Sequence, residues 1–345
     1  MKTFTKIIIF LFLVLIIDIP KILAQEKIKI GLLVPLTGQH SKIGDSILKS
    51  VRLAINKIDN PLIEIIPKDS KGNPAITLQN AKKLKENGVK IIIGPVFNKN
   101  LIYLDELKDI IFLSLTNKVI KNPKNIISAG INAKSQVNTI VKFQELNELK
   151  KTLFLIPKEN YKEEIEEAIK KSKIKVKKVY YYESNPTKLT KQIEKITRYS
   201  QRKKNLEDEI KRLENSNEEN KELKIKRLKK KDTIGKIGFD SIIIADFDET
   251  LKSITTSLLY TDVSPKKVHF ITLNQWFDES LLKEKSSQPI YFPSINKKNF
   301  DEFKKIYNKT FNEYPNQISF LSYDLVGLIY YLIAQNNFII DQNIF

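Results

Sequence analysis

The sequence of 345 residues has no cysteine and only two histidines, His40 and His269. The missing cysteine excludes disulfides, cysteine-ligated zinc, iron–sulfur clusters, a cysteine nucleophile and a lipidated N-terminal cysteine. Two histidines are too few to build most histidine-based metal sites, and they make a histidine-dependent catalytic triad less favoured. The composition therefore disfavours an enzyme, and we predict no metal or other cofactor.

Arginine is also scarce, because only five of the 59 basic residues are arginines, although the net charge is +19. Proteins that read nucleic acids rely on arginine, whose planar fork binds phosphates and bases with two hydrogen bonds. A surplus made almost entirely of lysine is weak evidence for such a partner. We predict that the protein binds no nucleic acid.

Two motifs that suggest catalysis are incomplete. Residues 246–250, with Asp246 and Asp248, match the D-x-D-x-T nucleophile loop of haloacid-dehalogenase phosphatases. That chemistry needs a further acidic pair at a later strand end to hold Mg²⁺, and no such pair follows. The GDS triplet that ends at Ser46 resembles an esterase nucleophile, but no histidine follows His269 to serve it.

The N-terminus has the layout of a secretory signal peptide. Lys2 and Lys6 precede an apolar run over residues 7–17, and Ala24 offers a small residue for cleavage. A membrane span needs about 20 apolar residues, so this run is too short to be an anchor. We predict that residues 1–24 are removed, that no later segment is apolar enough to span a membrane, and that the product is soluble outside the cytoplasm.

From residue 27 onward, apolar runs rich in β-branched residues alternate with segments of helical periodicity. Such alternation predicts parallel sheets covered by helices on both faces. The predicted strands are 27–36, 62–67, 89–96, 109–116, 152–157, 176–183, 239–246 and 267–273, with late helices at 300–311 and 319–334. These two successive series predict an α/β protein with two Rossmann-like, three-layer lobes.

The predicted first lobe comprises residues 25–122 and a return segment, 289–345, and the second lobe comprises residues 123–288. Residues 198–231 are rich in charge and interrupt the second series. Ser216 and Glu219 fit a capping box in the middle of this segment. We therefore predict a helical hairpin inserted in the second lobe, which either docks on a partner or is simply solvated.

Polar residues gather where the predicted strands end. In open parallel sheets, ligands bind beyond the carboxyl ends of the strands. The hydroxyls, amides and aromatic rings there suit a small polar ligand that is held rather than transformed. The candidate binding residues are Asn98, Ser114, Thr116, Asn117, Tyr161, Asp246 and Asn274.

An ordered series of segments resembles the leucine-binding, type I periplasmic-binding family over most of residues 27–335. The segments are IKIGLLVPLTG, IIPKDSKGNP, KIIIGPV, FLSLTN and SYDLV. The resemblance implies two lobes joined by three hinge strands, with a ligand trapped by closure, and the sequence shows no clear final strand pair. The segments around ITRYSQRKKNLEDEIKRLE and YTDVSPKKVHFITLNQWFD further resemble penicillin-binding-protein activators of alphaproteobacteria.

The family resemblance also bears on single residues. Ser114 and Thr116 match hydroxyl positions that hold an amino acid, and Tyr161 matches an aromatic residue of the second lobe. Asn98 lies where amino-acid binders have small hydroxyl residues, and Asn274 replaces the acidic residue that meets the ammonium group. The resemblance implies a solute-binding protein that delivers an amino acid or a similar molecule to an ABC transporter. The alternative is a regulator of a peptidoglycan synthase. A third alternative is a protein whose closed cleft no longer binds a ligand.

Overall fold

Two parallel five-stranded sheets form the two lobes of the chain. The computed structural model describes residues 27–117, 123–158, 161–274 and 283–340. The strand order is β2-β1-β3-β4-β5 in the first sheet and β10-β9-β8-β6-β7 in the second, and every pairing is parallel. The strands are β1 (Ile28–Val34), β2 (Ile63–Asp69), β3 (Ile91–Ile93), β4 (Ile111–Ser114), β5 (Ile126–Ser128), β6 (Thr152–Pro157), β7 (Lys178–Tyr182), β8 (Ser241–Ile244), β9 (His269–Thr272) and β10 (Ile290–Tyr291). Both sheets therefore share one doubly wound order, which reverses beside the first strand of each.

Ten complete α-helices lie within the described part of the chain. They are α1 (Ser41–Ile58), α2 (Pro74–Glu86), α3 (Ala133–Leu146), α4 (Lys162–Lys170), α5 (Pro186–Thr197), α6 (Tyr199–Glu214), α7 (Lys221–Leu228), α8 (Asp248–Tyr260), α9 (Lys297–Phe311) and α10 (Gln317–Gln335). Separate apolar clusters lie on the two faces of each sheet. This arrangement confirms the prediction of two three-layer α/β lobes.

Asparagine sets the start of half of these helices. The side chains of Asn73, Asn132, Asn185, Asn296 and Asn316 each accept a backbone N–H of the first helical turn. Such a cap satisfies a donor that the helix itself leaves without a partner. After Asn73 and Asn185 a proline occupies the first helical position, where its fixed φ suits the helix and its missing N–H costs nothing.

Two short strands were missing from the sequence-based prediction. Strand β5 (Ile126–Ser128) pairs with β4 in the first sheet, and β10 (Ile290–Tyr291) pairs with β9 in the second. The predicted lobe boundaries at 122 and 288 thus fall a few residues before these strands. Strands of two or three residues carry too little periodicity to be recognised in a sequence.

The predicted hairpin at 198–231 contains α6 and α7. We call residues 198–231 the arm. The predicted capping box at Ser216 and Glu219 is wrong, because α7 begins at Lys221 after Asn220, which provides no side-chain cap. Leu206 and Leu213 of α6 are buried, whereas Leu223 of α7 is exposed.

Helix α10 completes the first core. One of its faces buries Leu325, Val326, Ile329 and Ile333 in the cluster that α1 shares. By length and composition alone, α10 could cross a membrane, although core helices of soluble proteins pass the same test. The expectation that no later segment is apolar enough to span was therefore wrong by that measure. The predicted leader, residues 1–24, lies outside the described residues, and no strand follows α10 up to residue 340.

Candidate functional site

A cleft of about 970 Å³ opens where the carboxyl ends of the two sheets face each other. It is lined by both lobes and by the crossing segment between β5 and α3. The lining residues are Ile43, Val96, Phe97, Asn98, Leu115, Thr116, Asn117, Gly130, Ile131, Gln136, Phe247, Asp248, Asn274, Phe300, Lys304, Pro315, Asn316, Gln317, Ile318 and Leu321. Its size and its mixture of aromatic, amide and hydroxyl groups are those of a small-molecule site.

The loop after β3 forms part of the first-lobe wall. The chain turns at Gly94, whose φ of 107° favours glycine, and a Cβ there would lie 2.2 Å from the carbonyl oxygen of Leu33. This turn carries Phe97 and Asn98 to the cleft. The residue Asn98 is exposed, so its amide is available to a ligand.

The loop after β4 forms the adjoining part of that wall. Thr116 and Asn117 line the cleft, and Asn117 is exposed. Ser114 does not line it, because this fully buried hydroxyl donates to the carbonyl of Pro95 at 3.1 Å and accepts the N–H of Thr116 at 3.3 Å. Ser114 therefore joins the two wall loops and positions Thr116.

A carboxylate clamp holds the loop after β1. Asp69 accepts the hydroxyl of Thr37 at 2.5 Å and the backbone N–H groups of Leu36 and Lys71 at 2.8 Å each. Burial would raise the pKa of Asp69, but these donors outweigh burial and lower it. The clamped loop leads to His40, whose ring contacts that of Phe97 in the cleft wall at 4.6 Å between centroids.

The second-lobe wall is built on Gln136 and Asn274. The side chain of Gln136 accepts the backbone N–H of Asn274 at 2.8 Å and donates to the carbonyl of Ile131 at 3.1 Å. The hydroxyl of Ser294 donates to the Asn274 amide at 3.2 Å. One buried glutamine thus ties the end of β9 to the crossing segment.

Asp246 is engaged behind the cleft rather than on its wall. Its carboxylate accepts the hydroxyl of Tyr182 at 2.5 Å and the N–H of Phe247 at 2.9 Å. Burial raises its pKa, even though both hydrogen bonds favour the charged form. The neighbouring Phe247 and Asp248 reach the cleft instead.

Of the seven predicted residues, four line the cleft and three do not. Asn98, Thr116, Asn117 and Asn274 are brought together there. Ser114 and Asp246 lie behind the walls. The ring of Tyr161, about half exposed, contacts Phe247 edge-on at 5.8 Å between centroids and lies outside the lining.

Sequence reasoning missed the contribution of the return segment. Phe300 and Lys304 of α9 and residues 315–318 before and within α10 all line the cleft. The asparagine cap at Asn316 was the available signal, since it places amides at a helix start that faces the cleft. Lys304 pairs with Asp301 at 3.0 Å, so its charge is partly compensated.

Charged groups in the cleft are few, and the described residues hold no cluster of three or more histidines, aspartates or glutamates that could bind a metal ion. Asp248 contributes the negative charge from the second lobe and Lys304 the positive charge from the first. The arrangement can accept and donate hydrogen bonds to a small polar molecule and can cover its apolar part with Phe97, Phe247 and Phe300.

Comparison with known proteins shows which family shares this geometry. Residues 27–198 match the family described as periplasmic binding protein. The search of curated proteins finds no match. Among solved structures, a branched-chain amino acid ABC transporter protein of Rhodospirillum rubrum, described as putative in its name, is similar at 12% identity with a TM-score of 0.63. That comparison covers 90% of this chain and 84% of the other.

Two further structures share the fold. An ABC transporter substrate-binding protein of Desulfitobacterium hafniense, in complex with leucine, is 12% identical with a TM-score of 0.57, over 92% of this chain and 85% of that one. The LpoA C-domain of Haemophilus influenzae, a regulator of PBP1A, is 14% identical with a TM-score of 0.57, over 88% and 87%. The sequence match, the paired doubly wound sheets and the cleft between them lead to one conclusion: this chain belongs to the periplasmic binding protein family and has its two-lobe, leucine-binding type of fold.

Proposed function

We propose that the protein is an exported, non-catalytic solute-binding protein that holds an amino acid or a similar small polar molecule between its lobes and delivers it to an ABC transporter. The cleft of about 970 Å³ carries this proposal, because both lobes and the crossing segment line it. A ligand held there contacts both lobes and favours their closed arrangement. Delivery to a transporter would take place in the periplasm.

The lining supports a ligand with polar and apolar parts. Asn98 and Asn117 are exposed amides that can donate or accept, and Thr116 adds a hydroxyl. Asp248 and Lys304 supply one charge of each sign from different lobes, which suits a ligand that carries both an ammonium and a carboxylate group. The aromatic rings of the lining can cover an aliphatic side chain.

A thermal-shift screen against the amino acids tests the proposal. A ligand at 100 times its Kd stabilises the folded state by about 2.7 kcal/mol. Replacing Asn98 with alanine removes one exposed hydrogen-bonding group, so we expect the affinity for the active amino acid to fall about tenfold. The matched control is Asn217→Ala, since Asn217 is exposed in the arm. Equal affinity in both variants, or no stabilising amino acid, would contradict the proposal.

One observation favours a second function, regulation of a peptidoglycan synthase. The arm adds two helices to the second lobe, and the similar LpoA C-domain is named a regulator of PBP1A. If this function holds, a synthase should be recovered from solubilised membranes by the protein and by Asn98→Ala alike, while no amino acid stabilises either. Loss of that recovery on deletion of the arm would assign the contact to α6 and α7.

A further inference from the structure

The end of the arm concentrates positive charge. Seven of the eleven residues from Lys221 to Lys231 are basic, and Glu222 is the single acidic one. We define the basic patch as the exposed residues Lys226, Arg227, Lys229, Lys230 and Lys231. They follow one another on the last turn of α7 and the turn after it.

The patch differs from the rest of the arm in that its basic side chains form no ion pairs within the described residues. Glu218 pairs with Arg212 at 2.6 Å and with Lys224 at 2.8 Å, so the charges at the hairpin bend compensate one another. Lys221 donates to the carbonyls of Glu214 and Ser216. Within the described part of the chain, no patch residue has an acidic partner within 4 Å. Along the chain the five cations are flanked by Glu222 and Asp232, so the patch keeps a net positive charge.

The arm presents this patch on an anchored base. Arg202, which is 4% exposed, donates to the carbonyls of Thr197 and Thr261 and to the hydroxyl of Thr233. Helix α7 itself has no buried residue. The patch therefore projects from a fixed base and can be changed without touching a core.

We propose that the basic patch docks the protein on the surface of an anionic phospholipid bilayer. Lysine is a flexible point charge, which suits a fluid array of phosphates better than the fixed two-pronged pairing that arginine gives. A protein partner would call for aromatic or apolar anchors, and in the described part of the arm Leu223 alone is a strongly exposed large apolar side chain. A bilayer needs no such anchors, because each surface cation adds binding independently.

Vesicle sedimentation with the secreted form of the protein, beginning after the predicted cleavage point at Ala24, tests this docking. Vesicles of about 30 mol% phosphatidylglycerol in phosphatidylcholine should bind it, and pure phosphatidylcholine should not. Neutralising three cations in K229Q/K230Q/K231Q should lower partitioning about a hundredfold. Raising the salt from about 50 to about 500 mM should abolish binding of the unchanged protein.

The matched control removes three lysines elsewhere on the second lobe. Lys150, Lys173 and Lys175 are exposed and line a groove that also contains Glu145 and Glu148, so their field is already offset. K150Q/K173Q/K175Q has the same net charge as the patch variant and should bind within about threefold of the unchanged protein. The arginine variant K229R/K230R/K231R should also bind normally.

Three outcomes would overturn the docking proposal. Equal losses in the two glutamine variants would assign binding to overall charge. The absence of binding to anionic vesicles would show that the patch does not dock on lipid. Binding to native membranes that protease treatment abolishes, without binding to protein-free vesicles, would assign the patch to a protein. Unchanged far-ultraviolet circular dichroism in every variant would show that the fold is intact.

Discussion

At the scale of single residues, Asp69 shows how a side chain outside the cleft can shape it. Its carboxylate binds the loop after β1 through Thr37 and Leu36, and it also accepts the N–H of Lys71 in the turn after β2. The loop after β1 carries His40 against Phe97 of the cleft wall. Hydrogen bonds to a charged acceptor are stronger than neutral ones. The first-lobe wall therefore depends on the ionised form of this carboxylate.

We predict that Asp69→Asn lowers the free energy of unfolding by about 1–2 kcal/mol at pH 7. The folded-state pKa of Asp69 lies below its ordinary value. The contribution of its charge is thus complete above the unfolded-state pKa of about 3.9 and is lost as the pH falls through the folded-state value. Urea unfolding at pH 7 and at about pH 3 should show the difference between the variant and the unchanged protein shrinking in acid.

Asp109→Asn is the control, because Asp109 is exposed and pairs only at the surface, with Lys85 at 2.9 Å. Such pairs contribute little, so this variant should unfold at nearly the same urea concentration as the unchanged protein. A difference for Asp69→Asn that is the same at both pH values would contradict the role of its charge.

The sequence predicts which loops meet at the site better than which side chains face it. Strand ends and polar residues were enough to identify Asn98, Thr116, Asn117 and Asn274. Within one loop, however, Ser114 lies behind the wall and Thr116 on it, because the hydroxyl of Ser114 binds Pro95 of the neighbouring loop. That contact joins residues nineteen positions apart, and no local pattern encodes it.

At the scale of elements, the arm is anchored more deeply than its sequence indicated. The charged sequence of residues 198–231 predicted a hairpin that docks on a partner or is simply solvated. The structure instead places Arg202 among Thr197, Thr233 and Thr261, at the point where α5, the arm and α8 meet. Burial of an arginine cannot be read from charge patterns, since arginine is usually exposed.

We predict that Arg202→Ala destabilises the protein by about 3–5 kcal/mol, because the carbonyls of Thr197 and Thr261 and the carboxylate of Asp262 lose a buried partner. Arg212→Ala on the same helix is the matched control. Arg212 is half exposed and pairs at the surface with Glu209 and Glu218, so its loss should cost less than about 1 kcal/mol. Equal midpoints in urea for the two variants would show that the base of the arm is not anchored in this way.

At the scale of the whole molecule, the crossing after β5 relates the two lobes. Gly130 lies in this crossing and lines the cleft. A Cβ at Gly130 would lie 2.4 Å from the carbonyl oxygen of Thr116 and 2.8 Å from the N of Asn117. Backbone that approaches so closely leaves room for glycine alone.

We predict that Gly130→Ala displaces the Thr116–Asn117 loop, lowers the free energy of unfolding by about 1–3 kcal/mol and weakens ligand binding at least tenfold. Gly327→Ala is the control. Gly327 lies in α10, and an added Cβ would meet no atom within 4 Å beyond its chain neighbours and the backbone of its own helix. Alanine there should therefore be neutral or stabilise the helix by about 0.5–1 kcal/mol. Calorimetric titration with the amino acid found in the screen would measure both affinities, and normal binding by Gly130→Ala would contradict the close approach.

Helix α10 bears on the export that we propose for this protein. Its apolar sequence serves the first core after folding, but during export the same nineteen residues would pass through the translocation channel unfolded. A channel retains a segment that is apolar enough and releases it laterally into the bilayer. Asp324, near the middle of the helix, adds about 2.5–3.5 kcal/mol to the cost of that insertion. For the exported protein that we propose, Asp324 thus favours release of the chain over its retention in the bilayer.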